Sequence, residues 1–112
     1  MKVKPFMSYN DFFLKVTTVN DANYTALTSD EIILVTSGST ANRTITLPTA
    51  VGRKGKYYII KKVDNGTKYA IIDGHEDETI DGSATLSLSA QYNVALIISD
   101  GTNWHVITKT VG

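Results

Sequence analysis

Apolar residues recur at every second position in short stretches, each bounded by turn-forming residues, which is the period of β-strands rather than of helices. The pattern predicts strands over 14–19, 31–36, 43–47, 56–63, 68–72, 85–88, 92–99 and 104–108. Between them stand Ser37-Gly38-Ser39, Pro48, the glycines at 52 and 55, Asn65-Gly66, Asp73-Gly74, Asp81-Gly82 and Asp100-Gly101. Asn-Gly and Asp-Gly tolerate positive φ, so Asp64-Asn65-Gly66-Thr67 is expected to close a hairpin, and Asp100-Gly101-Thr102-Asn103 to join the last two strands. No long window carries a 3.6-residue period with caps; 9–15 has room for one short helical turn. The expectation is an all-β chain, a single small antiparallel β-sandwich or barrel-like domain.

Two of these strands are apolar on both faces. In 92–99, Tyr92, Val94, Leu96 and Ile98 share one face while Ala95 and Ile97 stand on the other. In 56–63, Tyr57 and Ile59 oppose Tyr58 and Ile60. A two-layer sandwich covers only one face of each sheet, so doubly apolar strands call for a second cover. A closed barrel or an overlying loop supplies it within one chain; a subunit interface supplies it between chains.

The first residues have a different character. Phe6, Met7, Tyr9, Phe12, Phe13 and Leu14 follow Lys2 and Lys4, crowding large apolar groups into a short stretch. Residues 1–19 read as an arm that docks on a neighbouring protein, with a plain first strand as the alternative, and residues 20–112 as the β-domain.

Composition narrows the function classes. The chain has 112 residues, 11 basic and 11 acidic side chains, and a formal net charge of zero. That length is one domain. Zero net charge argues against bulk electrostatic holding of nucleic acid, and it leaves little repulsion between copies. There is no cysteine, hence no disulfide, thiolate nucleophile or zinc–thiolate site. The longest apolar run, Val94-Ala95-Leu96-Ile97-Ile98, falls far short of the ~20 residues of a membrane helix. Ser8-Tyr9-Asn10-Asp11 breaks any apolar stretch after Lys2 and Lys4, so the start is not expected to act as a secretory signal, and with such short apolar runs membrane insertion is not expected either. The Asn-x-Thr sequons at Asn23, Asn42 and Asn65 matter only in a secretory setting.

Candidate chemistry is sparse. The loop Asp73-Gly74-His75-Glu76-Asp77-Glu78-Thr79-Ile80-Asp81-Gly82 offers carboxylates and a histidine to a divalent cation, but not at the spacing of a calcium loop, and a solvated turn explains it equally. His75 and His105 have no nucleophile in a recognisable setting beside them. A carboxylate pair for glycoside hydrolysis needs a separation that sequence does not set. Arg53, Lys54, Lys56, Lys61 and Lys62 interleave with Tyr57 and Tyr58 as a nucleic-acid stripe would, but alternation puts Lys61 and Lys62 on opposite faces. A lysine-rich sheet edge that discourages stray pairing is the plainer reading. No catalytic residue, cofactor or metal ligand is assigned.

Several blocks taken in order resemble a small β-domain of bacteriophage tail-fibre and other virion surface proteins. They are Tyr24-Thr25-Ala26-Leu27-Thr28-Ser29-Asp30-Glu31-Ile32-Ile33-Leu34-Val35, Arg43-Thr44-Ile45-Thr46-Leu47-Pro48-Thr49-Ala50 and Gly55-Lys56-Tyr57-Tyr58-Ile59-Ile60-Lys61-Lys62-Val63-Asp64. Glu78-Thr79-Ile80-Asp81-Gly82 and Ser99-Asp100-Gly101-Thr102-Asn103-Trp104-His105-Val106-Ile107 complete the series. Physically, Pro48 ends a strand, the Asp-Gly pairs turn corners, and Trp104 anchors a small core with an indole N–H that needs a partner. The resemblance implies a non-enzymatic, homotrimeric protein of the virion, assembled in the cytoplasm of a bacterial host. Fibre-tip domains of this kind follow a long shaft, whereas here only about twenty residues precede the domain. The leading expectation is therefore a small capsid decoration or head-fibre-like protein. It would dock on other virion proteins of capsid or tail through Phe6, Met7, Tyr9, Phe12, Phe13 and Leu14. The alternative is a tail-fibre or receptor-binding tip protein that holds host-surface glycan through Tyr69, His75, Asp77 and Trp104; a glycan hydrolase rests on the acidic loop alone.

Overall fold

The computed structural model describes residues 13–110. Strands alternate between two sheets. They are β1 (Val16–Asn20), β2 (Tyr24–Thr25), β3 (Ile32–Thr36), β4 (Arg43–Thr46), β5 (Tyr57–Lys62), β6 (Ala70–Asp73), β7 (Thr85–Leu88), β8 (Val94–Ser99) and β9 (Trp104–Lys109). The larger sheet has the order β1-β3-β5-β8-β9 and the smaller β2-β4-β6-β7.

From β1 to β6 the chain winds as a coil, laying one strand in the larger sheet and the next in the smaller. Strands that return to the same sheet after such a turn run in the same direction. Hence β1–β3, β3–β5, β2–β4 and β4–β6 are parallel. Only β5–β8, β6–β7 and β8–β9 are antiparallel. The expected all-β fold is present, but the sheets are mixed, not antiparallel. The reason is that most short turns carry the chain across to the opposite sheet instead of back along a neighbour.

The turn at Asp64-Asn65-Gly66-Thr67 shows this directly. It joins β5 to β6, which lie in different sheets, so it is not a hairpin. The Asp64 carboxylate organises it, accepting from the amides of Ser37, Gly38 and Gly66 at 3.0, 3.0 and 2.9 Å. Gly66 packs so tightly that a Cβ there would stand 2.0 Å from the Gly38 carbonyl oxygen. Gly66→Ala should therefore force the two loops apart and lower the thermal midpoint by several degrees, as a backbone clash of roughly 1–3 kcal/mol does in a domain of this size. An unchanged midpoint would show that the loops yield freely. By contrast, Asp100-Gly101-Thr102-Asn103 does close the β8–β9 hairpin, with the Asp100 amide donating to the Asn103 carbonyl at 3.0 Å. Asp81 and Gly82 take positive φ of 50° and 82°, the conformation a type I′ corner requires.

Between the sheets lies one core. Val19, Ile33, Val35, Tyr58, Ile60, Ala95, Ile97 and Trp104 from the larger sheet meet Ile45, Ala70, Ile72 and Leu88 from the smaller. Trp104 is fully buried, 5.6 Å from the Tyr58 ring. Its Nε1 has no hydrogen-bond acceptor among the described residues, contrary to the sequence expectation of a partner.

Two charged side chains are buried with partners. Asp30 accepts from the Thr17 and Tyr24 hydroxyls at 2.7 and 2.6 Å and from the Leu27 amide at 2.8 Å, tying β1 and β2 to the loop before β3. Burial opposes its ionisation, but these donors and Lys15 outweigh it and hold the carboxyl below its usual range. Burial and the same carboxylate push the Tyr24 hydroxyl up to about 12. Lys62 is the second group, and its ammonium donates to the Asp64 carbonyl, the Asp64 carboxylate and the Gly66 carbonyl at 2.9, 3.0 and 3.1 Å.

Two sequence expectations move. Residues 16–19 belong to β1, with Val19 in the core, so the domain begins before Val16 and the 1–19 boundary of the arm is too late. Short alternation next to an aromatic-rich stretch reads as arm until its partner β3 is known. Strand β5 is central in its sheet, paired on both sides, so its lysines do not guard an edge.

Candidate assembly face

The two sheets present unlike outer faces. On the smaller sheet the register sets Thr25, Thr46, Asp73 and Thr85 in one outward row and Thr44, Ile71 and Ser87 in the next. That face is polar apart from Ile71 and suits water. On the larger sheet the outward rows are Val16-Ile32-Ile59-Leu96-Thr108, Thr18-Leu34-Lys61-Val94 and Tyr57-Ile98-His105. A bulge between Leu96 and Ile97 lets β9 add Ile107, which is 60% exposed. Tyr57, Ile59, Leu96, Ile98 and Ile107 line a shallow trough of about 520 Å³.

Alternation places these residues outward because their neighbours Ile33, Tyr58, Ile60, Ala95 and Ile97 occupy the core. Each methylene removed from water here contributes roughly 0.8 kcal/mol, so a contiguous face of Val, Ile, Leu and Tyr favours covering. Lys61 is the single lysine in these rows. Its ammonium lies 5.2 Å from the ring of Tyr92, an exposed residue held at φ 69°. At the opposite end of β5 the Tyr57 hydroxyl donates to Glu31 at 3.4 Å. Burial and the Glu31 charge raise that hydroxyl above its ordinary value.

The glycan-binding set does not come together. Trp104 is fully buried and faces the core, so it is withdrawn as a ligand contact. The sequence offers Trp104 both as a core anchor and as a glycan contact, and its inward parity on β9 makes it the anchor. Tyr69 precedes β6, while His75 and Asp77 follow it, at opposite ends of that strand. His75, Glu76, Asp77 and Glu78 border a hollow of about 280 Å³ with Val51, Thr102 and Asn103. Glu78 is already engaged, accepting from the Thr49 hydroxyl and from the Ala50 amide. Asp81 accepts from the Val106 amide at 3.0 Å. Among the described residues, no three acidic or histidine side chains converge as a metal site.

His105 is exposed on the sheet, as alternation predicts, and its Nε2 lies 2.6 Å from Asp100. The Asn103 amide, His105 and the Thr102 amide together hold the Asp100 carboxyl down at about 2. Of the docking residues, Phe13 is 83% exposed and Leu14 38%. Phe6, Met7, Tyr9 and Phe12 lie outside the described residues.

Asp30, Asp64 and Ile107 were not singled out by sequence reasoning. The first two look like ordinary loop acids, and Ile107 takes the outward parity of His105 on β9, next to a face whose extent depends on which strands are neighbours. The doubly apolar alternation of 56–63 and 92–99 was the signal for the face itself. No helix of the described residues is long and apolar enough to cross a membrane. No family model and no curated protein matches the chain.

Proposed function

We propose that this chain is a non-enzymatic structural protein of a bacteriophage particle, a small decoration or head-fibre-like subunit. It docks on capsid or tail proteins through its N-terminal segment and works as a homo-oligomer. The observation that carries the reading is the contrast between the outer faces. A polar face on one sheet and a contiguous apolar face on the other suit a building block that turns one side to water and the other to a neighbour. The ordered sequence blocks that resemble virion β-domains supply the particle. The scattered positions of Tyr69 and His75 and the burial of Trp104 give the glycan-binding alternative no common surface.

The test is made on purified particles. The chain should be detected in virions by mass spectrometry, and antibody against the folded domain should label their exterior. Deleting residues 1–12 leaves every described strand intact, so the truncated chain should keep its β-type circular dichroism yet fail to enter particles. Absence of the full chain from virions overturns the proposal. Normal incorporation of the truncated chain overturns the docking role of the segment.

A further inference from the structure

We propose that Asn65 is a latent covalent modification site, a deamidation centre that the Asp64 carboxylate keeps shut while the turn between β5 and β6 is folded. The site is independent of the assembly face and of any virion role. Asn65 is the one asparagine of the chain that glycine follows. Glycine carries no side chain to shield its nitrogen, so in an open chain that nitrogen readily reaches the preceding side-chain carbonyl carbon. In the reaction the Gly66 nitrogen gives up its proton and bonds to Cγ of Asn65. The Cγ–Nδ2 bond breaks, and ammonia leaves with that proton, closing a succinimide ring. Water then opens the ring at either carbonyl. One product is aspartate; the other is isoaspartate, whose backbone is longer by one methylene.

The folded turn opposes the first step. The Gly66 N–H donates to the Asp64 carboxylate at 2.9 Å, and losing that proton would set a second negative charge beside the first. The Gly66 carbonyl accepts from the buried Lys62 ammonium at 3.1 Å, and a Cβ on Gly66 would stand 2.0 Å from the Gly38 carbonyl oxygen. Gly66 therefore cannot swing toward the Asn65 side chain without releasing contacts on both sides. Asn65 itself is exposed, so water and base reach its amide. The nucleophile is closed, not the access. An added methylene at residue 65 displaces Gly66, on whose position the amide bond to Asp64, the carbonyl bond to Lys62 and the close approach to Gly38 all depend. The modification thus proceeds from the opened turn and stops it from closing as before.

The test ages the full chain in mildly alkaline buffer, folded and in concentrated urea, and follows conversion of residue 65 by peptide mass mapping. The folded chain should convert about tenfold or more slowly than the chain in urea, because reaction waits on opening of the turn. The Gly66 amide proton of the folded wild type, followed by NMR, should exchange with solvent about tenfold or more slowly than in urea, since the same proton must leave. Asp64→Asn should erase most of the protection at residue 65 while its circular dichroism stays native. Ile80→Ala loosens the core at the opposite end of β5 and keeps Asp64, so it should stay slow. Equal conversion in buffer and urea overturns the proposal, as does a Gly66 amide that exchanges freely. So does a native Asp64→Asn chain that stays as slow as wild type, or an Ile80→Ala chain that reacts as fast as the chain in urea. Wild type aged in urea and returned to buffer should melt below its unaged midpoint, whereas Asn65→Ser carried through the same steps should not. An unchanged midpoint in the aged wild type overturns the claim that the product cannot re-form the turn.

Discussion

Trp104→Ala should destabilise the domain by about 3–5 kcal/mol, a large part of the ~5–15 kcal/mol that holds a domain of this size together. Trp104 opens β9, an edge strand of the larger sheet, and is fully buried, its ring 5.6 Å from Tyr58. Tyr58 is itself buried, and its hydroxyl donates to the Leu27 carbonyl at 2.8 Å, which holds the loop before β3 on the core. Burial pushes that hydroxyl up to about 12, so it stays protonated and able to donate throughout the physiological range. Emptying the indole site removes the face against which Tyr58 rests, and the sheets close over the gap only in part. Trp104→Phe should cost far less, because it keeps a ring at the site and removes an N–H that has no acceptor among the described residues. Urea unfolding followed by circular dichroism measures both. An alanine variant within about 1 kcal/mol of wild type would show that this end of the core is not closely packed.

The second large effect is expected at Asp64. Its carboxylate receives three backbone amides and the ammonium of the fully buried Lys62, so Asp64→Ala strands three amides and leaves the buried ammonium only the carbonyls of residues 64 and 66, with no counter-charge. A buried ion pair broken on one side typically costs about 3–5 kcal/mol, and that loss is expected here. Lys62→Met should be milder, since it removes the buried charge together with its need for a partner. The same site gives a pH signature. Burial opposes ionisation of Asp64, but the Ser37, Gly66 and Gly38 amides and the Lys62 ammonium outweigh it and hold the carboxyl down at about 2. Its folded value is below its unfolded value near 3.9. The stabilisation, about 2 kcal/mol, is therefore complete above pH ~4 and is lost as pH falls toward 2. The stability difference between wild type and Asp64→Asn should be constant from pH 5 to 7 and shrink below about pH 4. A difference that does not change with acid would mean that the Asp64 carboxylate is not the anchor of the turn.

Strand positions were legible from two-residue periodicity, because burial of one side of a pleated strand prints directly into the sequence. Eight of the nine strands fall where alternation puts them, and only the two-residue β2 is too short to show a period. The Asp100-Gly101 hairpin was legible too, since its turn chemistry is local. The candidate face was half legible: 56–63 and 92–99 announced that a second side needed cover, but not which residues joined them.

The class of structure, the strands with their inward residues, and the surplus apolar side are all written in the order of residues along the chain. These follow from local periodicity and turn preference, which act over a few residues. The tertiary structure alone decided which strands are neighbours. A turn such as Asp64-Asn65-Gly66-Thr67 reverses the chain whether the next strand joins the same sheet or crosses to the other. Here the crossing is selected by long-range partners, with Ser37 and Gly38 donating to Asp64 from 27 and 26 residues away. That choice makes four of the pairings parallel, sets β5 in the middle of its sheet, and gathers Val16, Ile32, Ile59 and Leu96 into one row. The face exists because distant strands stand side by side, and no local pattern encodes their order.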